Sequence, residues 1–346
     1  MAVVTIRDVA EAAGVSVATV SRIASGSDYP VGARTRERVE AVIEALGYRP
    51  NQSATDLSRR DTHLVGVVAP DMANQYYAQV TRGIEDAAHA AGYQVLFSST
   101  DRRRTRAAAA LEALLRRRVA ALVVLGGGEE IRLTPEHVAP YGTEVVLVGR
   151  PSETFSTVQA DGVRAGQVMA EHFLGLGHER VAFLAGSRGS TATRLRQQGV
   201  RRVLRTAGLE PPATARGGYT EEGGYTAAME LLQAAARPTA IIAANDRMAI
   251  GAMAAAHDLG LSVPDDVALA GFDDTPISAY VRPALTTYSL RSGRLGAEAM
   301  QLILEREEGD TSTRHRTVDG EIVVRASCGA RPAADGEPRA ARSART

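Results

Sequence analysis

The sequence predicts an α/β protein, with a small all-α domain at the amino terminus and then a two-lobed core of parallel sheets flanked by helices. Three observations carry this. Residues 1 to about 50 read as short helical patterns broken by turn residues. From His63 onward, apolar strand-like runs alternate with helical stretches, and the alternation comes as two successive sets.

In the first region Ile6, Val9, Ala10 and Ala13 fall at helical spacing, with Thr5 placed to cap the helix and Gly14 to stop it. Ser16 caps a second helix in which Val17, Val20 and Ile23 recur. Thr35 is placed to cap a third, with Val39, Val42, Ile43 and Leu46 on one face and Gly47 ending it. Residues 50–60 read as a linker. The first core set is expected as strand 64–68, helix 76–91, strand 94–97, helix 105–116 and strands 121–125 and 144–148. Its second set is helix 163–176, strand 180–185, helices 190–207 and 221–235, strand 240–243, helix 246–259 and strand 267–272. A last helix covers 293–305. The chain after Gly329 is rich in Ala, Arg, Pro and Gly and reads as a disordered tail.

Composition limits the function classes. Apolar residues make up 45% and charged residues 23%, as in ordinary globular domains, and the formal net charge of +0 does not point to a polyanionic partner. The single cysteine, Cys328, excludes an internal disulfide and a Cys-rich zinc site and suits a reducing compartment. Residues 1–8 lack a basic stretch followed by an apolar run, and no run of about 18 apolar residues occurs. A soluble, cytoplasmic protein without a membrane span is expected.

Residues 10–22 read as helix, tight glycine turn and capped second helix, the arrangement a helix-turn-helix needs to place its second helix in the major groove. A plain helical hairpin fits the same pattern. Charge does not decide between them, because residues 1–60 hold eight arginines against seven acidic residues, a net of +1.

The segments Val4-Thr5-Ile6-Arg7-Asp8-Val9-Ala10, Gly14-Val15-Ser16-Val17-Ala18-Thr19-Val20-Ser21-Arg22 and Gly47-Tyr48-Arg49-Pro50-Asn51 resemble the amino-terminal signature of the LacI/GalR family of bacterial repressors. The likeness extends through nearly the whole chain and stops at the tail. It implies that Val17, Ala18 and Arg22, at the start of the recognition helix, read bases. Arg22 can donate two hydrogen bonds to a guanine edge, and Val17 and Ala18 can meet a thymine methyl. Ser16, Thr19 and Ser21, with Thr5, fit phosphate contacts or caps, which position without specifying. The linker resembles the family's hinge helix, which implies that Leu57 enters the minor groove as an apolar wedge with Asn51 and Ala54 beside it.

The same resemblance implies a periplasmic-binding-protein-like core with a ligand cleft between its lobes. Lobe one is expected over about 63–160 and 290–316, and lobe two over about 161–289 and 317–328. Ligands of parallel sheets bind outside the carboxyl ends of strands, so Asp273, Asn245 and Arg194 are the candidates, and the resemblance implies that they hydrogen-bond the effector. Asp246 reads as the cap of the next helix. Taken singly, each could equally be a cap or a surface charge. Tyr76, Tyr77 and Tyr219 offer aromatic walls, with core packing as the alternative. Gly149 stands where several sugar-responsive members carry an Asp, and Leu290 where a Gln is common. Arg188 adds a second cation, which leaves an acidic effector such as a sugar phosphate or uronate open beside a neutral sugar.

No cofactor, metal or catalytic set is expected. Gly126-Gly127-Gly128 lacks the residues of a phosphate loop, the seven histidines show no paired ligand spacing, and Ser190 has no nucleophile-elbow context. The resemblance therefore implies a homodimeric repressor of a carbohydrate-utilisation operon, bound to near-palindromic double-stranded operator DNA. A sugar, sugar derivative or sugar phosphate would switch it. A corepressing non-sugar metabolite, a transport-type solute-binding protein and an enzyme are the rival readings.

Overall fold

The computed structural model describes residues 4–24, 30–49, 62–126, 131, 133–307 and 312–330. The chain forms two compact units divided between His63 and Leu64. The expected linker, with Asn51, Ala54 and Leu57, lies outside the described residues, as do residues 331–346 of the tail.

The first unit holds three helices, α1 (Ile6–Ala13), α2 (Val17–Ala24) and α3 (Ala33–Leu46). Thr5 caps α1 through a reciprocal box: its hydroxyl oxygen accepts the Asp8 N–H at 3.4 Å, and the Asp8 carboxylate accepts the Thr5 N–H at 2.7 Å. Gly14 ends α1 at φ 62°, a left-handed conformation that only glycine adopts without strain. Ser16 then accepts the Thr19 N–H at 3.1 Å and starts α2. Val9, Ala10, Ala13, Val20, Ile23 and Val39 form the buried core of this unit. Thr35 is not the cap of α3. The helix opens on Gly32, whose carbonyl accepts the Thr35 N–H at 2.9 Å, so Thr35 already lies inside the first turn.

The second unit contains two six-stranded sheets. The first takes β1 (Leu64–Ala69), β2 (Gln94–Ser99), β3 (Ala121–Leu125), β4 (Glu144–Val148) and β5 (Ser156–Ala160). The second takes β6 (Val181–Ala185), β7 (Ala213–Arg216), β8 (Ala240–Ala243), β9 (Ala268–Phe272) and β10 (Thr286–Ser289). The chain then adds β11 (His315–Val318) to the first sheet and β12 (Glu321–Val323) to the second. The spatial orders are β11-β5-β4-β3-β1-β2 and β12-β10-β9-β8-β6-β7, parallel throughout except for the antiparallel β10–β12 pair. Most successive strands within each sheet are joined through helices, while β4 runs to β5 through residues 149–155 without one and β9 to β10 through a 3-10 turn at Pro276–Ala279.

Helices α4 (Gln75–Ala90), α5 (Arg104–Arg116) and α6 (Pro135–Val138) belong to the first lobe. Helices α7 (Gly162–Gly175), α8 (Thr191–Thr206), α9 (Glu221–Leu232) and α10 (Asp246–Asp258) belong to the second. The last helix, α11 (Ser292–Glu307), returns to pack on α4. Helices α7 and α8 approach at backbone distance: a methyl group on Gly166 would overlap the Arg196 carbonyl, and one on Gly199 the Val163 carbonyl. That contact sets the rotation of α8 and therefore which of its side chains face the sheet. Among the described residues no helix is long and apolar enough to cross a membrane.

Five strands escape periodicity: β5, β7, β10, β11 and β12. Each has three to five residues and mixes Thr, Ser, Gln, Arg or Glu with apolar positions. Three of them form sheet edges, where one side of the ladder and part of the surface stay solvated, so an apolar run is not required.

Candidate functional site

The carboxyl ends of both sheets face a cavity of about 340 Å³. Asn74, Tyr76, Tyr77 and Arg102 line it from the first lobe, and Arg188, Arg196, Tyr219, Asn245 and Asp273 from the second.

Asp273 follows β9 with φ 111°, and Asp274 follows it at φ 53°. Two consecutive non-glycine residues at positive φ are strained, and here the surrounding bonds hold them in place. The Asp273 N–H donates to the Tyr288 carbonyl at 3.0 Å, and Arg325 donates to the Asp274 carboxylate at 2.7 Å. The turn thereby delivers the Asp273 carboxylate into the cavity, 6% exposed. Burial pushes its carboxyl pKa well up, with the Arg196 guanidinium pulling the other way from 3.8 Å. Arg196 is buried too; it donates to the Ala244 carbonyl and lies 4.6 Å over the Phe272 ring.

Asn245 ends the β8 connection and caps α10, its Oδ1 accepting the Met248 N–H at 3.0 Å while its Nδ2 donates to the Tyr219 carbonyl at 3.5 Å. Asp246 is therefore not the cap. It is fully buried beneath the site and accepts hydrogen bonds from the Thr275 N–H at 2.8 Å and from the hydroxyls of Thr275, Ser278 and Thr287 at 3.1, 2.8 and 2.5 Å. Burial nevertheless pushes its carboxyl up to about 6.

Tyr219, at φ 72°, places its hydroxyl 2.6 Å from the hydroxyls of both Ser190 and Thr193, at the start of α8. Its ring covers Gly186, where any Cβ would overlap it. Tyr76 and Tyr77 meet edge to face at 5.1 Å, and burial raises both phenol pKa values.

Five of the six sequence-selected cleft residues thus converge: Tyr76, Tyr77, Tyr219, Asn245 and Asp273. Arg194 does not. It is exposed and lines a separate depression on the outer face of α8 with Arg201, Arg202 and Arg205. The guanidinium that α8 sends into the cavity belongs to Arg196. Two residues along a helix turn the side chain through about 200°, to the opposite face. The signal was available in the sequence, since Thr193, Arg196, Val200 and Leu204 recur at helical spacing as one buried stripe. Arg102 and Asn74 carried no periodic signal, because both sit in loops.

In the first unit, Val17, Ala18, Ser21 and Arg22 are all exposed on α2, spaced so that they share one face, while Val20 and Ile23 point into the core. Thr19 is half-buried, its hydroxyl 2.9 Å from that of Ser16. Thr5 and Ser16 are engaged as caps, which leaves Val17, Ala18, Ser21 and Arg22 as the outward-facing residues of α2.

Residues 5–51 match the model of the bacterial regulatory proteins, lacI family, and residues 170–328 match a periplasmic binding protein-like domain. The chain is 35% identical over 328 residues to catabolite control protein A of Priestia megaterium, covering 92% of this chain and 96% of that protein. To the lactose operon repressor of Escherichia coli (strain K12) it is 32% identical over 342 residues, covering 97% and 94%. Among solved structures, the lac repressor dimer bound to operator and the anti-inducer ONPF matches with a TM-score of 0.82 at 30% identity, over 94% of this chain and 99% of that one. A complex of the transcriptional regulator CelR with cellobiose matches with a TM-score of 0.72 at 29% identity, over 94% and 99%.

Proposed function

The chain belongs to the lacI family of bacterial regulatory proteins, and we infer from this that it is a sequence-specific transcriptional repressor. It binds operator DNA as a homodimer, and a sugar or sugar derivative taken up between the two core lobes controls its affinity. Two-fold protein symmetry matches a near-palindromic operator, one recognition helix per half-site. The coupling between effector and operator has to be reciprocal and typically amounts to about 1–3 kcal/mol.

The observation that carries the residue assignment is the convergence of Arg196, Asn245 and Asp273 on one cavity with tyrosine walls. A guanidinium and an amide donate, a carboxylate and an amide oxygen accept, and adjacent sugar hydroxyls can do both. Tyr76, Tyr77 and Tyr219 supply flat apolar surface for the face of a sugar ring. On the DNA side we assign base reading to Arg22, Val17 and Ala18, and backbone positioning to Thr5, Ser16, Thr19 and Ser21. The cavity is assigned to binding and not to catalysis, in keeping with the regulators that the chain resembles.

A fluorescence-anisotropy titration against DNA from upstream of the protein's own gene, with and without a panel of sugars, tests this. Expected is specific binding whose affinity shifts with one sugar class. Binding no tighter to that DNA than to a scrambled duplex at the same salt would sink the repressor reading.

A further inference from the structure

We propose that the effector is a phosphorylated sugar, its ring held by Arg196, Asn245 and Asp273 and its phosphate gripped between Arg102 of the first lobe and Arg188 of the second. The inference rests on the cleft being an effector site and adds the charge of what fills it. Four charged side chains line the cavity, Arg102, Arg188, Arg196 and Asp273. Arg196 and Asp273 face each other at 3.8 Å and offset one another. Among the described residues no carboxylate pairs with Arg102 or Arg188, so the cavity keeps an excess of two positive charges. A phosphate monoester carries about −1.5 to −2 at pH 7.

The loops that carry the two cations meet at Tyr219. Arg102 lies 5.6 Å over Tyr219, and the Ser187 hydroxyl donates to the Gly218 carbonyl at 3.4 Å, which fastens the Arg188 loop beside the Tyr219 loop. Helix α8 starts at the same place: Thr191 and Ala192, its first two residues, also line the cavity, and its sixteen residues direct the positive end of their dipole there. Among the described residues the one carboxylate on the walls, Asp273, faces Arg196, while Gly149 and Leu290 contribute no side-chain oxygen. The phosphate would bridge guanidinium groups from both lobes, so its charge would hold the lobes together as well as add affinity.

Isothermal titration of the full chain tests this with hexose 1- and 6-phosphates, pentose 5-phosphates, the parent sugars, the corresponding uronates and inorganic phosphate. One sugar phosphate is expected to bind at least tenfold more tightly than both its parent sugar and inorganic phosphate. In Arg188→Ala, whose side chain is exposed and outside the core, that preference over the parent sugar should collapse toward one, and Arg188→Lys should restore part of it. A parent sugar binding as tightly as its phosphate would overturn the anion inference while leaving the sugar cleft standing. So would a uronate or inorganic phosphate outranking every sugar phosphate. If no compound of the panel binds, both the anion inference and the sugar reading fail, whereas failure of operator binding in the separate anisotropy assay strikes only the repressor reading.

Discussion

Arg247 of α10 donates to the Asp71 carboxylate at 3.0 Å, a bond that runs from the second lobe to the first, while its remaining N–H groups donate to both carboxylate oxygens of Glu221 at 2.8 and 2.7 Å. Asp71 lies just past β1 and three residues before Asn74 of the cavity wall; Arg247 lies two residues after Asn245. Glu221 holds the guanidinium in a planar fork and leaves one edge for Asp71. The carboxyl of Glu221 is correspondingly kept below its usual range by the Arg247 hydrogen bond. This makes the pair a clasp beside the cleft.

Asp71→Asn should release the clasp without changing side-chain size. A partly solvated pair contributes up to about 1 kcal/mol, so effector affinity is expected to fall up to about fivefold as the lobes spend more time apart. Calorimetric titration reads the affinity, and small-angle scattering of the free protein reads the lobe separation. Unchanged values in both would show that the clasp does not bias closure.

Arg196→Lys should abolish the effector response, because a lysine cannot bond the Ala244 carbonyl, cover Phe272 and face Asp273 together. Arg194→Ala should leave the response intact. Both variants are expected to bind operator with near-native affinity in a gel-shift titration. A lost response in Arg194→Ala alone would move the site back to the outer face of α8.

Arg22→Ala should weaken operator binding by about 1–3 kcal/mol and relax base preference at one position per half-site. Anisotropy titrations against single-base operator variants check this. Equal loss on every sequence would assign Arg22 to the phosphates.

The buried Asp246 carboxyl, pushed up to about 6, makes stability depend on pH. The unfolded chain titrates this group near 3.9. Between the two values the folded state keeps the proton and the unfolded state does not, so the contribution is fully present below about pH 4 and is lost as pH rises through about 6. The loss is about 3 kcal/mol. Asp246→Asn should flatten this slope, its amide oxygen still accepting from Thr275 and Ser278 and its NH₂ donating to Thr287. Urea melts of both proteins at pH 4.5 and 7.5 measure the difference, and identical slopes would contradict it.

Gly166→Ala should push α8 away from α7, because the added methyl meets the Arg196 carbonyl, which is backbone and cannot swing aside. Overpacking of this kind costs about 1–3 kcal/mol. A lowered melting temperature together with a weakened effector response is expected. A variant destabilised but with full effector affinity would show that the α7–α8 contact does not place Arg196.

Much of this protein was decided by its sequence alone. Glycines at 14 and 47, the Thr5 and Ser16 caps and the apolar spacing between them mark three short helices through local backbone and hydrogen-bond physics, although the start of α3 at Gly32, which has no side-chain cap, was not legible there. The continuous apolar strands β1, β3, β4, β6, β8 and β9 are legible for a related reason: a strand covered on both faces can carry almost nothing polar. The motif of residues 4–22 then identified what the helices are for. Tertiary structure decided what depends on rotation and on partners far away in the chain. Whether Arg194 or Arg196 enters the cleft follows from how closely α8 packs on glycines of α7. Whether Asn245 or Asp246 caps α10 follows from Thr275, Ser278 and Thr287, about thirty to forty residues downstream, which capture the Asp246 carboxylate. The recruitment of Arg102 and Asp71 likewise rests on two lobes meeting across crossovers. Local sequence encodes the elements because their hydrogen bonds are local; the composition of the cleft is set by packing between segments that the sequence leaves far apart.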